Sequence, residues 1–290
     1  MEWREETVFG RGARLFVRRV VDPPAPPVLL LHGLGVGGSI WQSFARRLLP
    51  YLAAVAPDLR GHGQSDAPDS GYSPNDYAQD LLELIETELR PRGQTEGQRQ
   101  RQVQGQSPVP VVGHSLGALV AMAMAELRPD LISWLVLLDP PLDPDLPNSE
   151  VPSVYRLRHA PVGELEAYLL GRNPGGGPLV AQSLAKLFRQ ASDAAFEAML
   201  DPAGQTGRAP TLRTQAQQIT SRVLVIQADP AHGGVLGDAA ARRFVDGLPN
   251  GKLLKINQAT HALHASHPAE VARAILDFGG YSSDSSSPSV

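Results

Sequence analysis

The chain has 290 residues, of which 42% are hydrophobic and 19% charged, and its 26 basic and 30 acidic side chains leave a net charge of −4. At roughly 150 residues per domain the length fits one large domain or two small ones, and the apolar content excludes disorder along the whole chain. The charge excludes polyanion binding driven by bulk positive charge, and the absence of cysteine excludes disulfides, thiolate metal sites and a cysteine nucleophile.

The opening segment MEWREETV is charged and has no apolar signal core. Val103–Ala125 carries no formal charge, but Pro108, Pro110, Gly113, His114 and Ser115 divide it into a strand, a turn and a helix. Both observations point to a cytoplasmic protein without a membrane span. In chain order, Glu6–Phe9 and Arg14–Val20 read as strands, followed by a proline-rich connector. Val28–Leu31 is a continuous apolar run, the pattern of a strand buried on both faces. A glycine-rich loop, a helix over Ile40–Leu49 and a strand over Leu52–Ala56 come next. Ser73-Pro74-Asn75-Asp76 has the form of a helix start, with serine as cap and proline at the first helical position, and the helix is expected to reach Arg90. Pro91–Ser107 is rich in glutamine and has Val103 as its single aliphatic residue, so it reads as a flexible polar insert.

Val109–Val112 returns as a strand, Leu116–Leu127 is an alanine-rich helix, and Ile132–Leu138 is a further buried strand. From Pro140 to Ser221 the alternation breaks into prolines and short helical patterns, clearest at Glu164–Leu170, Leu179–Phe188 and Ala194–Leu200. Val223–Ile226, Ala239–Leu248, Leu253–Ile256 and Ala269–Phe278 resume it, and Gly279–Val290 is a glycine- and serine-rich tail read as disordered. Strands alternating with helices imply right-handed crossovers and a mostly parallel sheet with helices on both faces. The expected organisation is a core of residues 1–139 and 222–278, with a helical lid of residues 140–221 inserted after the sixth strand. Ligands bind such sheets outside the carboxyl ends of the strands, the side on which that insertion emerges.

The sharpest chemical signal is Gly113-His114-Ser115-Leu116-Gly117, a G-x-S-x-G sequence between a strand and a helix. Glycines two residues either side of the serine let strand and helix approach closely, which raises Ser115 Oγ at the sheet edge. The Leu116 N–H then lies at a helix N-terminus, where developing negative charge is favoured. With this motif the sequence resembles the α/β-hydrolase family. Leu30-Leu31-His32-Gly33-Leu34-Gly35 resembles the family's loop after its third strand. Asp58-Leu59-Arg60-Gly61-His62-Gly63-Gln64-Ser65 resembles the loop after its fourth strand, and Asn257-Gln258-Ala259-Thr260-His261 the loop that carries its catalytic histidine. The likeness covers nearly the whole chain apart from 91–107 and the tail.

The resemblance implies Ser115 as nucleophile, His261 as general base and Leu34 N–H as a second oxyanion donor beside Leu116 N–H. A serine at this position, not an aspartate, argues against the family's dehalogenases and epoxide hydrolases. The acid departs from the usual pattern, because Ala228 and Ala231 occupy the places of the strand-end glycine and the acid three residues later. Asp229 is the nearest carboxylate after the seventh strand and the first candidate; Asp139, at the end of the sixth strand and before Pro140, is the second. Asp238 reads as the N-cap of Ala239–Leu248, and Asp58 and His62 as structural residues of the loop after strand four. His261, His264 and His267 are spaced H-x-x-H-x-x-H, but Pro268 follows at once and no H-E-x-x-H is present, so a metal site is not expected. The expected activity is cofactor-free hydrolysis of a small to medium, largely apolar carboxylic ester or lactone, with no nucleic-acid or membrane partner. The oligomeric state is open. Cofactor-free haloperoxidases, carbon–carbon hydrolases and lyases share this triad, and a non-catalytic ligand-binding protein is the reading from a different class.

Overall fold

The computed structural model describes residues 1–21, 25–89, 107–142, 151–161, 163–172, 176–200 and 216–281. The polar insert apart from Ser107, the tail beyond Tyr281, and parts of the segment 140–221 expected as a lid lie outside the described residues. The strands are β1 (Glu2–Phe9), β2 (Arg14–Val21), β3 (Pro27–Leu31), β4 (Ala53–Pro57), β5 (Val109–His114), β6 (Ile132–Leu138), β7 (Arg222–Gln227) and β8 (Gly251–Lys255). The main helices are α1 (Pro74–Leu84), α2 (Leu116–Leu127), α3 (Val151–Leu157), α4 (Glu164–Arg172), α5 (Gly177–Gln190), α6 (Asp193–Leu200), α7 (Asp238–Gly247) and α8 (Pro268–Gly279).

The strands form one sheet in the order β1-β2-β4-β3-β5-β6-β7-β8. β2 pairs antiparallel with β1 and β4, and every other neighbour is parallel. The apolar runs are buried on both faces, as continuous hydrophobic strands require. Leu29, Leu31, Val111, Leu135, Leu137, Val223 and Val225 join a core that also contains residues of α1, α2 and α7. Val28, Leu30, Val112, Val136, Leu138, Leu224 and Ile226 point the other way, against Trp41, Phe44, Leu48 and α8. Each such side chain contributes about 1.5–3 kcal/mol on burial, so the two layers fix the register that brings the strand ends together.

At the start of α1, Ser73 Oγ accepts the Asp76 N–H and the Asp76 carboxylate accepts the Ser73 N–H, with Pro74 in the first turn. The helix ends sooner than expected, at Leu84, and passes into a wider turn over Ile85–Leu89. The helix expected over Ile40–Leu49 is a 3-10 turn, Gly38–Trp41, and a single α-turn, Gln42–Ala45. The reason is an anchor at its start. The Gly38 N–H donates to Asp58 Oδ1 at 2.6 Å, and a Cβ on Gly38 would lie 2.4 Å from the Ala56 carbonyl oxygen. The chain is thus tied to the end of β4 before a helix can propagate.

Between β6 and β7 the four helices α3–α6 form a small core of their own from Val154, Leu165, Leu169, Ala181, Ala185, Ala191 and Phe196, against which Leu34 packs. Among the described residues no helix is long and apolar enough to cross a membrane.

Candidate active site

Ser115 occupies the turn between β5 and α2 with φ 53° and ψ −117°, a conformation that costs a non-glycine residue about 1–3 kcal/mol. The flanking glycines are sterically compelled. A Cβ on Gly113 would lie 2.2 Å from the Gly117 carbonyl oxygen, and one on Gly117 would lie 2.5 Å from that of Leu31. Strand, turn and helix therefore meet at a distance no side chain allows. Ser115 N–H donates to the Leu138 carbonyl at 3.1 Å, which registers the turn on the end of β6. Leu116 is the first residue of α2, so its N–H has no intrahelical acceptor.

The loop after β3 is held from beneath. His32 is fully buried, its Nδ1 donates to the Gly33 carbonyl at 2.7 Å, and its Nε2 accepts the Leu59 N–H at 2.9 Å. Both ring nitrogens are satisfied only in the neutral form, and burial pushes the imidazole down to about 4. Asp58 ties the same loop to its neighbours through Arg18 Nη1 at 2.7 Å, Gly38 N–H at 2.6 Å and Gln64 N–H at 2.9 Å. Leu34 lies in the turn this scaffold supports, half-buried between the sheet core and α3–α6.

Asp139, the second of the two sequence candidates, is the carboxylate that meets His261. Its Oδ2 lies 2.7 Å from His261 Nδ1. The residue is fully buried and holds φ 43°. Its Oδ1 accepts the Ala228 and Leu236 N–H groups at 3.2 and 3.3 Å, and its Oδ2 also accepts the Val235 N–H at 2.8 Å. The turn aspartate at the end of β6 is thus cradled by the loop that follows β7.

Asp229, the first candidate, is not brought to the imidazole. Its Oδ1 accepts the Ala231 N–H, while its Oδ2 takes His232 Nδ1 at 3.0 Å and the Gln258 N–H at 2.9 Å. These bonds, that to Gln258 foremost, hold the carboxyl below its ordinary range. They also fix the loop that carries His261 at Gln258, whose φ is 61°. Asp238 is likewise not a cap. Gly237 holds that position, and the Asp238 carboxylate bonds Gln227 and Lys255.

The remaining histidines have separate partners. His62 is buried, donates through Nδ1 to the Arg60 carbonyl, and is pushed down to about 3 by burial. His264 is buried against Trp41 with ring centroids 4.5 Å apart, and His267 faces Ser266 Oγ. Among the described residues no group of three or more His, Asp or Glu side chains is arranged to hold a metal ion.

Two features were not read from the sequence. Gly35 has φ +78°, and a Cβ there would fall 2.2 Å from Phe188 Cδ1 and 2.8 Å from Phe196 Cζ. The aromatic rings of α5 and α6 therefore rest directly on the loop after β3. Arg158, buried beyond the end of α3, donates to the Phe188 and Ala191 carbonyls and pairs with Asp193. A lone arginine in an irregular helical segment gave no pattern to read. Its guanidinium fork serves carbonyls about thirty residues further along the chain, in the last turn of α5 and just after it.

Residues 28–274 match the sequence profile of the Alpha/beta hydrolase family. The 2-(acetamidomethylene)succinate hydrolase of Mesorhizobium japonicum is 26% identical over 264 residues, covering 87% of each chain. A crystal structure of E-2-(acetamidomethylene)succinate hydrolase superposes with a TM-score of 0.72 at 24% identity, over 96% of this chain and 100% of that one. The enol-lactonase from Burkholderia xenovorans LB400 gives 0.71 at 20% identity, over 95% and 100%. With strand order, nucleophile turn and profile in agreement, the chain belongs to the α/β hydrolase family.

Proposed function

We propose that this chain is a serine hydrolase that cleaves a small to medium, largely apolar carboxylic ester or lactone through an acyl-enzyme on Ser115. The observation that carries the reading is the 2.7 Å contact between the buried Asp139 carboxylate and His261 Nδ1, in a chain whose Ser115 is held on a strained turn. A carboxylate at Nδ1 keeps the proton on that nitrogen and leaves Nε2 bare as a base. His261 then takes the Ser115 proton as Oγ attacks the carbonyl carbon. The N–H groups of Leu34 and Leu116 bond the oxyanion, an interaction commonly worth several kcal/mol in the transition state. His261 returns the proton to the leaving oxygen, and water, deprotonated by the same imidazole, releases the acid and restores Ser115.

The preference for an apolar, uncharged acyl group rests on the walls. Phe188 and Phe196 rest on the loop after β3 at Gly35, and Leu34 of that loop packs against the same cluster. The buried guanidinium groups among the described residues, Arg18, Arg60 and Arg158, are each paired with a carboxylate. Among the described residues, a substrate with free carboxylates, such as the succinate named for the relative, meets no buried unpaired guanidinium. On this reading α3–α6 act as a lid whose aromatic face completes the pocket.

The test is mass-spectrometric labelling with a fluorophosphonate, run beside hydrolysis of short and medium p-nitrophenyl esters. One label on Ser115 is expected, with turnover lost by more than about 10⁴-fold in Ser115→Ala. Folded protein that takes no label and turns over no ester would overturn the hydrolase in favour of a ligand-binding protein.

A further inference from the structure

His114 is the variable residue of the nucleophile turn, and it is buried at 7% exposure. Its Nε2 lies 2.9 Å from the backbone carbonyl oxygen of His261. A carbonyl only accepts, so Nε2 carries the hydrogen and, in the neutral ring, Nδ1 is bare. That Nδ1 has no hydrogen-bond partner and faces the α-carbon of Gly33, where an added Cβ would lie 3.0 Å away. The ring also packs 4.6 Å from the His261 ring and 4.9 Å from that of His264. One imidazole therefore touches the loop that holds Leu34, is joined through its own backbone to Ser115, and bonds the main chain of His261, 147 residues away.

We propose that His114 is a positioning residue that sets the spacing among the oxyanion loop, the nucleophile and the base. The proposal rests on the hydrolase reading above. Asp139 fixes the ring of His261 through Nδ1, and His114 fixes its backbone through the carbonyl. The rest of that loop is held on its far side by Asp229, whose N–H donates to the Ala259 carbonyl and whose carboxylate accepts the Gln258 N–H. Thr260 N–H, next to His261, donates to Ser266 Oγ, and the His114 contact comes from the residue adjoining Ser115. Its donor is rigid, because Gly113 on one side is packed against Gly117 and Ser115 on the other is fixed by the turn. Burial, with His261 and His264 beside it, pushes the His114 imidazole well below its ordinary value, so it stays a neutral single donor across the working range. Nucleophile and base must be held to within a fraction of an ångström for proton transfer, and a misplacement near 1 Å can lower turnover by about 10²-fold.

The test compares H114Q, whose amide N–H reaches where Nε2 does, with H114F, which keeps a ring and removes the donor. With p-nitrophenyl esters, H114F is expected to lose about tenfold in kcat with KM within about twofold, while H114Q stays within about threefold of the parent. If H114F does not fold, H114M, matched to glutamine in length but without a donor, takes its place. H114F or H114M within about twofold of the parent, or H114Q falling as far as either, overturns the proposal. A long-range ¹H–¹⁵N spectrum of the parent protein reads the contact without turnover. The Nε2–H tautomer of His114, neutral from pH 8 to pH 5, is expected. An Nδ1–H tautomer or a protonated ring overturns the hydrogen bond itself. An unlabelled, inactive parent with the expected tautomer removes the hydrolase reading and the positioning role with it. An active parent with an indifferent H114F removes the positioning role alone.

Discussion

Replacing Asp139 by asparagine separates the two candidate acids. In the parent protein the Asp139 carboxylate accepts four hydrogen bonds, two on each oxygen, and three of them come from backbone N–H groups of the β7 loop. Asparagine can place its single oxygen toward Ala228 and Leu236, which leaves its NH₂ facing the Val235 N–H and His261 Nδ1. Two consequences follow. The Val235 N–H loses its acceptor in a fully buried setting, at about 1–3 kcal/mol. His261 can bond the amide only by presenting a bare Nδ1, so its proton moves to Nε2, and the nitrogen proposed to take the Ser115 proton becomes a donor. A base in the wrong tautomer lowers turnover by about three to four orders of magnitude. Asp229→Asn leaves an oxygen for the Gln258 or Ala231 N–H and touches no atom of the His261 ring, so a loss within about tenfold is expected. The assay is the rate of fluorophosphonate labelling of Ser115 with ester kcat, both at pH 8, with thermal unfolding to show that each variant is folded. A loss in Asp229→Asn equal to or greater than that in Asp139→Asn would refute the assignment. So would folded Asp139→Asn within tenfold of the parent.

The buried imidazoles make stability fall in acid. His32 is pushed down to about 4, and His62 and His264 to about 3, each chiefly by burial. Between pH 6.5 and these values the unfolded chain binds protons that the folded chain does not, so stability is complete above 6.5 and declines below it. Each contributes a loss of about 2 kcal/mol by pH 5, and urea unfolding followed by tryptophan fluorescence at pH 7.5 and pH 5 should show it; equal stabilities at the two values would contradict it. Gly35→Ala forces a Cβ into the Phe188 ring at a positive φ and is expected to destabilise by about 2–4 kcal/mol. Phe188→Ala in the same chain should recover part of that loss, and strict additivity of the two substitutions would argue against the contact. Arg158→Met leaves the Phe188 and Ala191 carbonyls and the Asp193 carboxylate without their guanidinium donor. Limited proteolysis is expected to cut the α3–α6 segment several-fold faster than in the parent, with the sheet core resistant; an unchanged cutting rate would deny the role.

The parts legible in the sequence are those fixed by neighbours in sequence. The bounds of β6 and α2 coincide with the apolar run Ile132–Leu138 and the alanine-rich run Leu116–Leu127, because burial on both faces and two compulsory glycines leave no alternative. Ser73 with Asp76 marks the start of α1 for the same reason, since a cap satisfies donors within four residues. Asp139 was the harder residue. The groups that recognise its carboxylate stand 89 to 122 residues away, at Ala228, Val235, Leu236 and His261. The available signal was alanine at 231, where the acid is usual, and a carboxylate closing a strand whose last five residues, 134–138, are all apolar. Asp229 was attractive by proximity to β7, and the structure shows why proximity misled. Its short reach is consumed by Ala231 and His232 in its own loop and by Gln258 in the loop that follows β8.

The wall behind the base has an electrostatic logic of its own. In the proposed mechanism positive charge appears on His261 as Ser115 yields its proton, and a second imidazole lies 4.6 Å from the His261 ring. A like charge at that spacing would oppose the first by about 3–4 kcal/mol at an effective dielectric near 20, which is two orders of magnitude or more in rate. His114 and His264 are both buried, and His264 is stacked on Trp41. Burial pushes His264 down to about 3 and His114 well below its ordinary value. His114 can therefore pack against the base, and His264 against His114, without competing with the base for charge, while the carboxylate of Asp139 contacts His261 Nδ1. On the proposed mechanism Trp41, on the far side of the sheet from α2, shields His264 from water beside the base. Opening that wall to water, as Trp41→Ala does, should let His264 take a proton in mild acid and depress turnover between pH 5 and pH 6.5 more steeply than in the parent. A pH–rate profile unchanged in shape in a folded Trp41→Ala protein would count against it.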